Sequence, residues 1–231
     1  MRNPLRLSRT TAPLVVLTSL LAAACSTIHG IKPLGRGVVE VEGSVGGPIT
    51  KVFGAPLPLP ISTIGATVGV TDSTNVHGAW HPTAAAVFGL GAGDVGVSQQ
   101  LIAAEGARPR IMADLTLLLA GGDAARGSPD GGLRFFAQPS VIAGWDWGKA
   151  KHQTVYTGIT AFIQPTPGPH ALGAWIVGNR FESKRTQFTT EFKWIDPWES
   201  NLPIVPEYYS PGNLGAISLQ FGVGYRFGGA K

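Results

Sequence analysis

The feature that most limits what this chain can fold into is an alternation of apolar and polar residues with period two, repeated segment after segment. In the last such segment, Ile217, Leu219, Phe221, Val223, Tyr225 and Phe227 share one parity. Ser218, Gln220, Gly222, Gly224 and Arg226 share the other. Successive side chains of a β-strand point to opposite faces, so the segment has one greasy side and one polar side. The same split sets Val39, Val41 and Val45 against Glu40, Glu42 and Ser44, and Ile111, Leu115, Leu117 and Leu119 against Asp114 and Thr116. It sets Val155, Ile159 and Ile163 against Thr154, Tyr156 and Thr160. Phe188, Phe192 and Trp194 oppose Gln187, Thr189, Glu191 and Lys193, and between Leu133 and Trp147 the apolar positions oppose Arg134, Gln138, Ser140 and Asp146. Every charged residue of these strands falls on the polar face. From Arg36 onward the spacing predicts no helix.

A polar face turned to water usually carries many charges. Here it is mostly Gly, Ser, Thr and Gln, in a chain with 32 glycines and only 14% charged residues. That is how the inside of a small transmembrane β-barrel reads, with the greasy face against lipid. Hydrocarbon tolerates only closed hydrogen bonding, so the sheet must close on itself. The expected fold is an all-β, antiparallel up-and-down barrel of about ten strands, near 37–45, 61–71, 74–83, 94–102, 110–120, 133–146, 152–164, 171–181, 185–195 and 215–227. Eight is the fallback if the first or third drops out. The His81-Pro82 pair should lie at a rim, because Pro cannot donate to a ladder. The phase of 171–181 is not legible. Short connections at Asp72-Ser73, 103–109, 148–151 and 182–184 alternate with longer ones, the pattern of short periplasmic turns and longer outer loops.

Arg2, Arg6 and Arg9 precede an apolar stretch from about Thr11 to Ala24, followed by Cys25, the single cysteine. A positive start, a short greasy middle and small residues at a cut site make a secretory signal, too short to span a bilayer. A lone thiol can neither staple the fold nor share a metal with a second cysteine. Without residues 1–24 and their three arginines, the formal net charge of +4 falls to +1. No basic patch then points to nucleic acid. The segment Leu20-Leu21-Ala22-Ala23-Ala24-Cys25 resembles the lipobox of bacterial lipoproteins, with Ala22 where Leu is favoured. The resemblance implies cleavage before Cys25 and acylation of its thiol. The domain plan is then a signal peptide over 1–24, a lipidated tether over 25–36 and a barrel over 37–231. Ser26 to Arg36 would span at most ~36 Å, enough to tie a lipid on the periplasmic side to the first strand.

Gln220, Gly222, Tyr225 and Phe227 form a polar-x-Gly-x-x-aromatic-x-aromatic pattern. It resembles the C-terminal β-signal of bacterial outer-membrane β-barrel proteins, with the departure that Gly228 to Lys231 follow the aromatic. This implies outer-membrane lipid and the barrel-assembly machinery as partners. Trp145, Trp147, Tyr225 and Phe227 at one end of the strands and Trp80 and Trp194 at the other suit two interfacial belts.

No cofactor or metal site is expected. His77 and His81 share a strand face but stand ~13 Å apart, too far for one ion. Gly89-Leu90-Gly91-Ala92-Gly93 lacks the Lys and the strand-to-helix setting of a phosphate loop. Closure should bring Arg226 beside Glu40 and Glu42 as a lumenal ion pair, because buried charge is costly unless paired. Asp196 to Asn213, with Trp198, Tyr208 and Tyr209, is a long loop able to meet a protein partner or to fold over the mouth. The leading functional expectation is a lipid-anchored outer-membrane barrel with a structural or interaction role and a lumen filled by side chains. The alternatives are a narrow channel for small solutes, a tethered lipocalin-like barrel in the periplasm, and a lipid- or peptide-modifying barrel enzyme.

Overall fold

A computed structural model describes residues 30–52, 55–122, 133–148, 152–165, 170–200 and 209–228. Its strands are β1 (Val39–Val52), β2 (Ala55–Pro58), β3 (Ile61–Gly69), β4 (Thr74–Trp80), β5 (Leu90–Ile102), β6 (Arg110–Gly122), β7 (Leu133–Trp147), β8 (Gln153–Gln164), β9 (His170–Glu182), β10 (Thr186–Ser200) and β11 (Leu214–Phe227). Ten of them close a ring. Each strand from β3 to β11 pairs with the next, β1 pairs with β3, and β11 returns to β1. The seam is in register from Val39↔Phe227 to Pro48↔Ser218. β2 only extends the far end of β1 as a hairpin, Ile49↔Pro58 to Val52↔Ala55. Neither the first nor the third predicted strand drops out, so the eight-strand fallback does not apply. Closure removes the sheet edges that an open sheet of this size would expose.

The sheet has an apolar outside. Phe188 is 60% exposed and Val223 is 51% exposed, while Gln187 and Gln220 are each 2% exposed. All ten barrel strands place large apolar side chains outward, among them Val45, Ile64, Val76, Val97, Leu117, Val141, Ile159, Trp175, Phe188 and Phe221. Trp147, Tyr225 and Phe227 are exposed at the rim that holds residues 37 and 228, and Trp80 and Trp198 at the opposite rim. The first is the terminal rim. The short connections 70–73, 103–109, 148–152 and 183–185 also lie there.

Three features depart from the expectations. First, a helix does form: α1 (Pro82–Phe88) follows β4, with Pro82 in its first turn and Gly89 as a left-handed C-cap. A proline has no N–H to satisfy at a helix start, so the residue read as a strand stop is a helix starter. Second, β1 and β5 run beyond the predicted limits, because hairpin pairing continues through stretches that lack alternation. Third, the described part of the stretch read as a tether enters the lumen before β1, with Ile31 1% exposed, while Arg36 is exposed at the rim.

Candidate functional site

Among the described residues polar groups converge on the inward face of the sheet, and its register follows from the alternation. Strand closure sets Glu40 opposite Arg226. The Arg226 Nε donates to Glu40 Oε2 at 2.7 Å, and its Nη2 donates to Glu182 Oε1 at 2.7 Å. Sequence reasoning missed Glu182 and two further members of this group, Arg180 and Gln187. Arg180 Nη2 reaches Glu40 Oε2 at 2.8 Å while its Nε lies 3.0 Å from Glu182 Oε1. Gln187 Nε2 donates to Glu40 Oε1 at 2.7 Å. Glu42 lies two residues along on the same inward face, half-buried. The signal for Arg180 was present as parity, but Ile176 and Ala174 share its face and obscured the phase of β9. These charges form one shared network, as buried carboxylates and guanidiniums must.

Two more clusters stand beside it. Arg110 Nη2 donates to Asp146 Oδ2 at 2.6 Å, and Thr154 Oγ1 donates to Asp146 Oδ1 at 2.8 Å. Tyr156 lies fully buried across Gly178, where a Cβ would overlap its ring. Its hydroxyl donates to Glu191 Oε2 at 2.7 Å, and Lys193 Nζ lies 3.2 Å from Glu191 Oε1. Register explains the reach. Gly178 pairs with Tyr156 on one side and Glu191 on the other, so an aromatic fills the gap over the glycine and arrives at the next strand.

Towards the opposite rim the histidines are separated. His77 Nε2 is 2.9 Å from Asp114 Oδ2, and Thr116 Oγ1 donates to Asp114 Oδ1 at 2.8 Å. His81 Nε2 is 2.8 Å from Asp94 Oδ2. Each imidazole has its own carboxylate, and among the described residues no group of three His, Cys, Asp or Glu side chains has a metal-holding arrangement. On β11 and β1 the Gln220 amide, the Ser218 hydroxyl and the Thr50 hydroxyl are buried without a protein hydrogen-bond partner. That stretch of wall keeps unused hydrogen-bonding capacity.

The N-terminal segment completes the lumen. The Asn75 amide grips it twice: Leu34 N donates to Asn75 Oδ1 at 3.0 Å, and Asn75 Nδ2 donates to the Lys32 carbonyl at 3.1 Å. Lys32 Nζ donates to Glu182 Oε2 at 2.9 Å. Ile31 packs with Met112, Ile142, Tyr156 and Ile176 as a buried apolar cluster. Gly30 sits so close to Ser98 and Asp114 that a Cβ there would collide with Ser98. A ten-strand ring is wider than the eight-strand ring that side chains fill alone, and this segment takes up the difference.

The remaining sequence candidates are placed as follows. Gln220 and Gly222 face inward, while Tyr225 and Phe227 face outward with ring centroids 4.9 Å apart in an edge arrangement. In the turn after β9, the exposed Arg185 Nη1 donates to the Tyr225 hydroxyl at 3.4 Å, which raises the guanidinium above its ordinary pKa. Gly89 caps α1, and Gly91 and Gly93 belong to β5, so the glycine run makes no phosphate loop. In the stretch 196–213, Trp198 is exposed and packs over Gly173, and Tyr209 N donates to the Ile49 carbonyl at 2.8 Å, tying the end of the loop to β1. Tyr208, Cys25 and the signal region lie outside the described residues.

No family model matches this chain, and no curated protein matches it. Solved structures similar in shape include the translocator domain of autotransporter NalP from Neisseria meningitidis, at 14% identity over 94% of this chain and 98% of that one, with a TM-score of 0.43. Ail, the attachment invasion locus protein of Yersinia pestis, is similar at 10% identity over 83% of this chain and 99% of that one, with a TM-score of 0.28. OccK11 (OpdR) of Pseudomonas aeruginosa is similar at 10% identity over 83% of this chain and 66% of that one, with a TM-score of 0.35.

Proposed function

We propose that this chain is a bacterial outer-membrane β-barrel with a structural or interaction role, closed to free diffusion of solutes. One observation carries the reading: the apolar ring on all ten strands opposes a lumen occupied by paired charges and by the chain's own N-terminal segment. Large exposed side chains such as Phe188 and Ile159 are unfavourable in water by about 1.5–3 kcal/mol each, and an apolar belt of this extent is a lipid-facing surface. A water-soluble lipocalin-like barrel would need the opposite facing. The termini then lie on the periplasmic side, and the rim with Trp80 and Trp198 faces out. The working surface of such a barrel is its outer connections, here α1 and the 196–213 loop, which would meet a protein partner. The outward aromatics of β11 would engage the assembly machinery. The His77–Asp114 and His81–Asp94 pairs are read as cross-strand supports rather than as catalysts.

Lipid attachment at Cys25 is a second, separable reading, supported by the lipobox resemblance. Labelling with a palmitate analogue should mark the wild-type chain and fail for Cys25→Ser. The barrel reading is tested by migration of the membrane fraction on gels. A spanning barrel requires detergent for release and shifts on boiling, whereas a tethered soluble barrel leaves the membrane once its lipid is removed.

A further inference from the structure

The stretch from Gly30 to Leu34 differs from everything around it in how it is held. The wall is a continuous ladder, closed through ten strands. The segment makes no ladder. Side chains hold it: the two Asn75 hydrogen bonds, the Lys32–Glu182 ion pair and the insertion of Ile31 among Met112, Ile142, Tyr156 and Ile176. Those four apolar partners sit on β6, β7, β8 and β9, so one isoleucine blocks the lumen from four strands at once. Beyond the Gly30 contacts with Ser98 and Asp114, the inward face carries Thr116, Ser140 and Thr160 beside the larger buried side chains of Phe136, Gln138, Phe162 and Lys193. The unpartnered Gln220, Ser218 and Thr50 side chains add to a wall that water can wet.

We propose that Gly30 to Leu34 is a displaceable plug and that the ring behind it is a latent pore for small hydrated cations. The proposal rests on the reading of this barrel as membrane-spanning. Cation preference follows from the charges left at the terminal rim when Lys32 withdraws. The inward acids there, Glu40, Glu42, Asp146 and Glu182, then outnumber Arg110, Arg180 and Arg226. A ring of excess carboxylate favours cations over anions.

The test is planar-bilayer recording of the purified full chain beside an Ile31→Asp/Lys32→Glu variant, under a potassium chloride gradient. The wild type should be nearly silent. The variant should open in steady steps, with open time raised about tenfold or more, as expected for loss of a charge-assisted contact, and with a reversal potential on the cation side. A variant as silent as the wild type, yet still shifting on boiling, overturns the plug, and anion-selective current overturns the solute class. Should that variant not fold, the milder Ile31→Ala/Lys32→Ala/Asn75→Ala decides, since it removes all three holds without placing a new charge in the lumen: openings support the plug and silence overturns it. Failure of the spanning reading has its own mark. Neither chain would need detergent or shift on heating, and the pore would fall with it.

Discussion

Glu40 shows what a single residue does in this lumen. Donors from three strands converge on it: Arg180 from β9, Gln187 from β10 and Arg226 from β11. Such a group adds little over an apolar filling but is costly to break from one side. Glu40→Ala should therefore lower unfolding stability, by up to about 3–5 kcal/mol, since it leaves two guanidiniums and Lys32 to share Glu182 alone. Adding Arg226→Ala should return part of the loss, because the two sites share partners. Urea titration of the vesicle-inserted protein measures both. At Gly178 the argument is one of space. Any side chain there would displace the Tyr156 ring from its route to Glu191, so Gly178→Val should destabilise more than Tyr156→Phe. The latter removes one hydrogen bond to a charged group, worth about 1.5–3 kcal/mol.

Among the elements, β11 carries the clearest alternation and β9 the most disguised. In β11 the parity read from the sequence is the parity observed, with Phe221 and Val223 out and Gln220 in. Phe221→Arg should cost about 2–4 kcal/mol in vesicles, as for a cation at mid-bilayer on the lipid face. A mild inward change on the neighbouring strand, Thr189→Ser, should cost much less by the same titration. Tyr225→Ala with Phe227→Ala should reduce the amount of folded barrel in cell membranes, read as the heat-shifted band. In β9 the inward row contains Leu172, Ala174 and Ile176, and the outward row contains Asn179. Ile176 is inside because Ile31 needs an apolar neighbour there. A local pattern cannot report a partner that arrives from far along the chain. α1 was illegible for another reason: seven residues are too few for a helical period to stand out, and a proline reads equally as an end or a start.

For the whole molecule the decisive quantity is which side of the sheet meets oil. Strands, not an acyl chain, would hold such a barrel in the membrane. The Cys25→Ser chain, where it is exported, should stay in the membrane fraction through high-salt and alkaline washes and dissolve only in detergent. Release by salt alone would contradict the spanning reading.

The sequence by itself determined the class of sheet, the need for closure, the strand count, the outward apolar face and the meeting of Glu40 with Arg226. All of these follow from a period of two and from chain order, which are local properties. Only the tertiary structure decided that Arg180 and Gln187 share Glu40, that each histidine faces its own aspartate, and that Gly30 to Leu34 lies within the lumen. The physical reason is width. A ring of ten strands leaves a space its own side chains do not fill, and what enters it is set by three-dimensional fit between segments far apart in the chain.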